Sequence, residues 1–492
     1  MIFNSVTYLL FLLLVIPAYW ALPLRGRQWL IVASSLTFYG FWRPEFCLVM
    51  LASATTDYFV ALRMSRLEDD RRRRRWLYVS LAVNLGFLFY FKYLFFVVGN
   101  GFALLRGMGF DVSDPVLNIV LPLGISFYTF ETISYSVDVY RRTIRPEPDF
   151  LTYACFVTYF PKLIAGPILR AHQLIPQFKS KAVLSLDDAT EGARRIVVGL
   201  FLKVALADQI APFVDDGFAQ SPGNLSALDV WTLAFLFGYQ IYFDFAAYSH
   251  IAIGTSRLMG IRLVENFNFP YSAVSPRDFW QRWHMSLSTW IRDYLYLPLM
   301  GTRPALVPDS QALVTGDRIE AAGATHSRGR RTLALFGSWA IMGFWHGANW
   351  TFLVWGLLHA IWIFAYRMTG PIRRRLPGGV RALGGLAITL PLMMITWIAF
   401  RAPGLETMLA LYAKLVQPAG YSWLGMRENT YVVAAAVLAM VLLARPIYER
   451  VVRPIDRTPA LTLVGNAVVF CVLGIVVFTY LRPIAQFIYF AF

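Results

Sequence analysis

Charge is what this chain of 492 residues has least of. Only 15% of its residues are Asp, Glu, Lys or Arg, against 57% hydrophobic and 16% aromatic, with a mean hydropathy of +0.53. That balance excludes an ordinary water-soluble globular domain. Acidic residues are scarcest, 29 against 45 Lys and Arg, giving a net charge of +16. The excess does not describe a nucleic-acid binder, because the arginines gather in short loops between apolar segments, as cytoplasmic loops of membrane proteins do. Cysteine is nearly absent. Cys47, Cys155 and Cys471 are odd in number and lack metal-ligand spacing, which excludes a disulfide framework and a zinc site and leaves them as packing residues. The first apolar segment lacks a basic leader and a small-residue cleavage site, so it reads as a retained helix. Repeats and long linkers are missing too. One domain over residues 1–492 is expected, with a cytosolic loop at 302–331 and an extracytoplasmic aromatic tail at 482–492.

What the chain does have is apolar runs, near residues 9–21, 29–42, 46–62, 76–105, 116–135, 150–169, 196–213, 231–259, 333–350, 351–366, 383–400, 431–443 and 461–481. Several fall short of the roughly 20 residues a helix needs to cross the hydrocarbon core. The expectation is an all-α polytopic membrane protein with about 11–13 passes, plus re-entrant or interfacial helices. Basic loops beginning at Arg63, Thr302, Tyr366 and Ala444 read as cytoplasmic, which places both termini outside.

Within these runs, polar side chains must pair or line a cavity, and each ionisable one is a functional candidate. His346 stands out, set in GFWHGANWTFLVWGLLHA. Continued as a helix, that stretch puts His346 and Asn349 at i and i+3, on one polar face, and turns His359 roughly 220° away. His359 is therefore expected to lie outside the site. The densest chemistry runs over 241–301, where DFWQRWHMSLSTWIRDYLYL read as a helix aligns Trp280, His284 and Ser288. An interfacial helix with headgroup-level Trp and Arg explains the same residues, and Arg292 with Asp293 reads equally as a local ion pair. His172, His250 and His326 receive no catalytic role. Asp57, Glu131, Asp138, Lys203, Asp208 and Asp244 offer an alternative, an ion or proton path, although paired Gly/Pro-broken segments in two halves are not evident.

Taken together and in order, LPLGISFYTFETISYSVDVYRR, YFPKLIAGPILR, GLFLKVALADQIA, YFDFAAYSHIAIG, NFNFPYSAVSPRDFWQRWHMSLSTWIRDYLYLPLMG and GFWHGANWTFLVWGLLHA resemble the membrane-bound O-acyltransferases, within the branch of the alginate O-acetyltransferase membrane component and the teichoic-acid D-alanyl transfer protein. The likeness covers most of the chain. Ala246, Ala247, His250 and Lys162 depart from the branch's usual residues without touching its two histidines.

The resemblance implies a ring of helices around a funnel or pore, with a buried catalytic histidine at His346 and a second at His284. It implies O-acetyl transfer from a cytosolic thioester, acetyl-CoA or another acyl donor, to an exported polysaccharide such as alginate, with no tightly bound cofactor. D-alanyl transfer to teichoic acid and lipid O-acylation are the alternatives within that chemistry. His346 suits a general base, its ordinary pKa being about 6.5. His284 would orient the acceptor or hold an oxyanion, supported by Asn349, Trp283 or Asp293. Lys162, Arg170 and Arg292 are candidates for the donor's phosphates, with positive-inside anchoring as the competing explanation. The terminal FIYFAF resembles the branch's acyl-accepting signature, which makes Tyr489 a candidate acyl carrier. The partners implied are an extracytoplasmic acetyltransferase or acyl-accepting protein, the polysaccharide export machinery and the lipids of a bacterial inner membrane.

Overall fold

The computed structural model describes residues 1–113, 119–302, 327–447, 449–450, 459–480 and 488. All regular structure among them is helical. Five helices are long and apolar enough to span a bilayer: Glu45–Ser65, Asp70–Gly107, Leu186–Phe218, Trp350–Met368 and Gly378–Arg401. Val6–Ala21 and Glu428–Leu443 are apolar but shorter. The protein is a multi-pass all-α membrane protein. Its contacts gather into two units that interleave along the sequence, one of Met1–Gly192, Thr255–Glu265 and Ser286–Ser327, the other of Ala193–Gly254, Asn266–Met285 and Arg328–Phe492. Most of the 302–331 loop, and the 482–492 tail apart from Ile488, lie outside the described residues.

The first unit pairs each of the buried carboxylates Asp57, Glu131 and Asp138. Asp57, fully buried, accepts from Ser80 Oγ at 2.5 Å, Asn84 Nδ2 at 2.7 Å and Ser136 Oγ at 3.2 Å. Three helices, Glu45–Ser65, Asp70–Leu88 and Ile125–Tyr140, are thereby tied together. Glu131 pairs with Lys162, and Asp138 accepts from Tyr294 at 2.8 Å. Two segments that carry proline and glycine, PLGISF from Pro122 and FPKLIAGPI from Phe160, meet here. Gly124, at φ +73°, lies so close to the backbone of Leu163 and Ile164 that a Cβ would sit 2.6 Å from a carbonyl oxygen.

One arginine of the RRRRR run is not a surface charge. Arg73 is buried and donates to the carbonyls of Met64 (2.5 Å), Leu67 (3.2 Å), Val139 (2.5 Å) and Tyr140 (3.1 Å), closing the C-terminal ends of two helices. A cation at a helix C-terminus complements both the orphan carbonyls and the dipole. Arg73→Ala is expected to cost about 2–3 kcal/mol, the scale of a charged hydrogen bond lost with its acceptors left buried. Arg72→Ala, at a side chain 72% exposed, is the matched control and should leave the unfolding temperature unchanged. Thermal unfolding in detergent reads the difference.

The second unit is organised by a helical hairpin. Arg328–His346 ends at His346, the chain turns over Gly347 and Ala348, and Trp350–Met368 runs back. Gly343 and Gly356 allow the close approach: a Cβ on Gly343 would lie 2.4 Å from the Phe352 carbonyl oxygen, and one on Gly356 would lie 2.3 Å from that of Trp339. Large aromatic side chains then fill the space beside the hairpin, with Trp283, Trp355 and Trp397 each 1% exposed.

Candidate active site

His346 is the last residue of its helix and is buried. Its Nδ1 donates to the Met342 carbonyl oxygen at 2.8 Å, one helical turn back. A carbonyl can only accept, so in the neutral imidazole the proton sits on Nδ1 and the lone pair is on Nε2. Trp345, Trp355 and Phe400 enclose the ring, at centroid distances of 4.9, 4.6 and 5.5 Å.

His284 has the same tautomer by a different route. Its Nδ1 lies 3.1 Å from Asn266 Oδ1, and Asn266 spends its Nδ2 on Ser249 Oγ at 3.2 Å, which leaves the amide oxygen to accept. The expected continuous helix through Trp280, His284 and Ser288 is not formed. Pro276–Trp280 ends, His284 takes φ +41°, and a new helix starts at Met285. A left-handed non-glycine residue costs on the order of 1–3 kcal/mol and persists where its surroundings over-determine it. They do so here, because the Met285 N–H donates to the Asn266 carbonyl and the Asn268 N–H to that of Arg282, both at 2.9 Å. Phe245 packs edge-on to the imidazole at 4.6 Å, and Trp345 lies 6.5 Å from it. Trp345 thus touches both His284 and His346, so the two histidines share one aromatic environment.

His284 lies outside the apolar spans and is completely buried, and burial, followed by the charge of nearby His346, holds its pKa well below the usual imidazole value. The sign follows. The unfolded histidine takes up its proton near pH about 6.5 and the folded one only at lower pH, so folding stability falls as pH drops through that window. Asn266→Asp would offer the Nδ1–H a carboxylate and raise the folded pKa. The acidic limb of the pH–activity profile should then move up by about one unit; an unmoved limb in the folded variant would show that His284 is not the titrating group.

The supporting residues divide. Trp283 stands in the aromatic wall, stacked on Phe279 at 5.6 Å and 5.0 Å from Trp397. Asn349 does not share a helical face with His346, because the helix has ended between them. It caps Trp350–Met368, accepting from the Thr351 N–H at 3.1 Å and donating to the Pro403 carbonyl at 3.1 Å. Asp293 belongs to the first unit, bonded to Arg292 Nε at 2.7 Å and 3.7 Å from Arg170. The proposed phosphate contact of Lys162 is corrected: its ammonium is buried against Glu131 and has no surface to offer. Arg170 is also buried, 4.8 Å over the Tyr294 ring, whereas Arg292 is one-third exposed. Tyr489 lies outside the described residues. Lys203, Asp208 and Asp244 form a compact cluster in the second unit, with Lys203 Nζ 2.9 and 2.7 Å from the two carboxylates.

The residue that sequence reasoning set aside is His359. The 220° separation assumed one continuous helix, but the turn after His346 brings His359 back on the antiparallel partner. It packs 4.8 Å from Trp355, which also lies 4.6 Å from His346.

The region 138–315 matches the family model of the membrane-bound O-acyltransferases. The chain is 37% identical over 422 residues to the probable alginate O-acetylase AlgI of Azotobacter vinelandii, covering 84% of this chain and 78% of that one. It belongs to the membrane-bound O-acyltransferase family. It is also 34% identical to the peptidoglycan O-acetyltransferase of Helicobacter pylori, over 83% of this chain and 77% of that protein. The teichoic acid D-alanyltransferase of Bacillus subtilis is more distant, 27% identical over 51% of this chain and 60% of its own length. An O-acyltransferase needs a proton acceptor at the attacking hydroxyl. His346 and His284 each carry a lone pair on a fixed Nε2.

Proposed function

We propose that this membrane O-acyltransferase is an O-acetyltransferase that moves acetyl from a cytosolic thioester to a hydroxyl of an exported polysaccharide. The observation that carries the reading is the buried His346, whose Nδ1 is committed to a backbone carbonyl so that Nε2 is the basic atom. The relatives named for alginate and peptidoglycan O-acetylation support acetyl as the group and a glycan as the acceptor. In the reaction the hydroxyl oxygen attacks the thioester carbonyl while its proton passes to Nε2; the C–S bond then breaks and the thiolate takes the proton. His284, one indole away, orients the acceptor.

The same reading places the protein in a bacterial inner membrane with both termini outside, working with an extracytoplasmic acetyltransferase and the polysaccharide machinery. Tyr489 is the proposed acyl carrier in the tail. The one described tail residue supports a docked end, since the Ile488 N–H donates to Asp244 Oδ2 at 2.6 Å. Membranes supplied with isotopically labelled acetyl thioester test both points by mass spectrometry. The expected result is label in the glycan, with a labelled Tyr489 peptide during turnover. Label confined to lipid would overturn the glycan reading, and labelled glycan with undiminished yield from Tyr489→Phe would remove the carrier.

A further inference from the structure

His359 is as buried as the two histidines above, at 0% exposure, but its hydrogen bonding is reversed. Trp280 Nε1 lies 3.2 Å from His359 Nδ1. An indole nitrogen can only donate, so Nδ1 must be the acceptor and the proton of the neutral ring sits on Nε2. Neither nitrogen can then serve as a base: one lone pair is occupied, and the other nitrogen already holds its hydrogen. His359 is a fixed donor. Trp339 stacks on the ring at 5.2 Å and 27°, and Trp280 and Trp355 meet it edge-on at 5.0 and 4.8 Å, so the imidazole has little freedom to flip.

The donor it presents is unspent. His359 Nε2 and Trp355 Nε1 are both buried, and neither meets an acceptor among the described residues. A buried N–H without a partner costs about 1–3 kcal/mol; Trp355 carries one against the ring of His346, and His359 carries another on the far side of that contact. Trp355 lies 4.6 Å from His346 and 4.8 Å from His359, so one donor's indole contacts both the base and the other donor.

We propose that His359 Nε2–H and Trp355 Nε1–H donate to the carbonyl oxygen of the acyl group as it becomes an oxyanion, opposite the proton acceptor His346. The inference rests on the reading of His346 as the base. In the step, the acceptor hydroxyl oxygen forms a bond to the acyl carbon, its proton moves to His346 Nε2, and the carbonyl π pair becomes the oxyanion lone pair. Collapse re-forms the carbonyl, breaks the C–S bond and returns the proton to the departing thiolate. His359 and Trp355 exchange no proton. They stabilise charge that exists only in the transition state and intermediate, which raises kcat rather than substrate affinity.

Two substitutions separate this role from packing. His359→Asn keeps an acceptor near the Nδ1 position for Trp280 and removes the Nε2 donor. His359→Gln places an amide N–H near the Nε2 position and loses the Trp280 partner. Steady-state kinetics on purified full-length protein with acetyl thioester should give kcat down about 10²-fold for Asn, the usual cost of one oxyanion donor, with KM within about threefold. Gln should recover most of that loss. Trp355→Phe should resemble Asn in its kcat effect. Wild-type kcat in His359→Asn, or recovery by Asn and not by Gln, would overturn the donor role. If His346→Ala is inactive in the same assay, such a result leaves the base in place; if His346→Ala is active, the underlying reading has failed instead.

Discussion

Valine at Gly356 is expected to deprive the second unit of its fold. The Gly356 Cα hydrogen points into the Arg328–His346 helix, where a Cβ would stand 2.3 Å from the Trp339 carbonyl oxygen and 3.1 Å from Gly343 Cα. Backbone cannot yield as a flexible side chain does. The helices must separate, and the aromatic side chains between and beside them lose contact together. Overpacking of this kind costs roughly 1–3 kcal/mol when the surroundings adapt and more when they do not. Gly356→Val should therefore give little extractable monodisperse protein, while Gly329→Ala, where a Cβ meets nothing within 4 Å, should give normal yield. Size-exclusion profiles of the two in detergent are the check, and equal profiles would show that the hairpin tolerates a wider spacing.

Removal of the His346 imidazole should leave the fold and abolish most of the chemistry. The ring ends its helix, and its Nδ1 bond goes to a carbonyl a turn back, so His346→Ala removes that bond and the ring's aromatic contacts while the helix's own backbone bonds stay in place. Loss of a positioned general base costs about 10² to 10⁴ in rate. His346→Ala should fall in that range with an unfolding temperature close to wild type. His346→Gln should not recover the rate, because an amide nitrogen has no basic lone pair.

The sequence made the class of this protein legible for a simple reason: a chain this poor in charge and this rich in apolar runs has few ways to fold outside a bilayer. His346 was visible for the related reason that an imidazole in such a run needs a use, and His284 through the resemblance and the density of polar residues around it. Helical periodicity then misled at two points, both where a helix ends. It joined Trp280 to Ser288 across the left-handed His284, and it carried the helix of His346 on to Asn349 and His359. Neither break has a proline, and the signals present, the Asn349 cap and the paired glycines at 343 and 356, gain meaning only once two helices pack. Asn266, which sets the tautomer of His284, lies eighteen positions earlier and is linked to it by tertiary structure alone. Arg73 was hidden among four arginines of the same run because position within a charge cluster says nothing about burial.

The role proposed for His346 is to couple thioester cleavage to ester formation. The direct measurement is the initial rate of free-thiol release from an acetyl thioester by purified protein, wild type beside His346→Ala, with a glycan hydroxyl acceptor present and absent. The wild type should release thiol in an acceptor-dependent way, one O-acetyl ester per thiol, and the variant should lose both. Thiol release by His346→Ala at the wild-type rate, from protein shown to be folded, would contradict it.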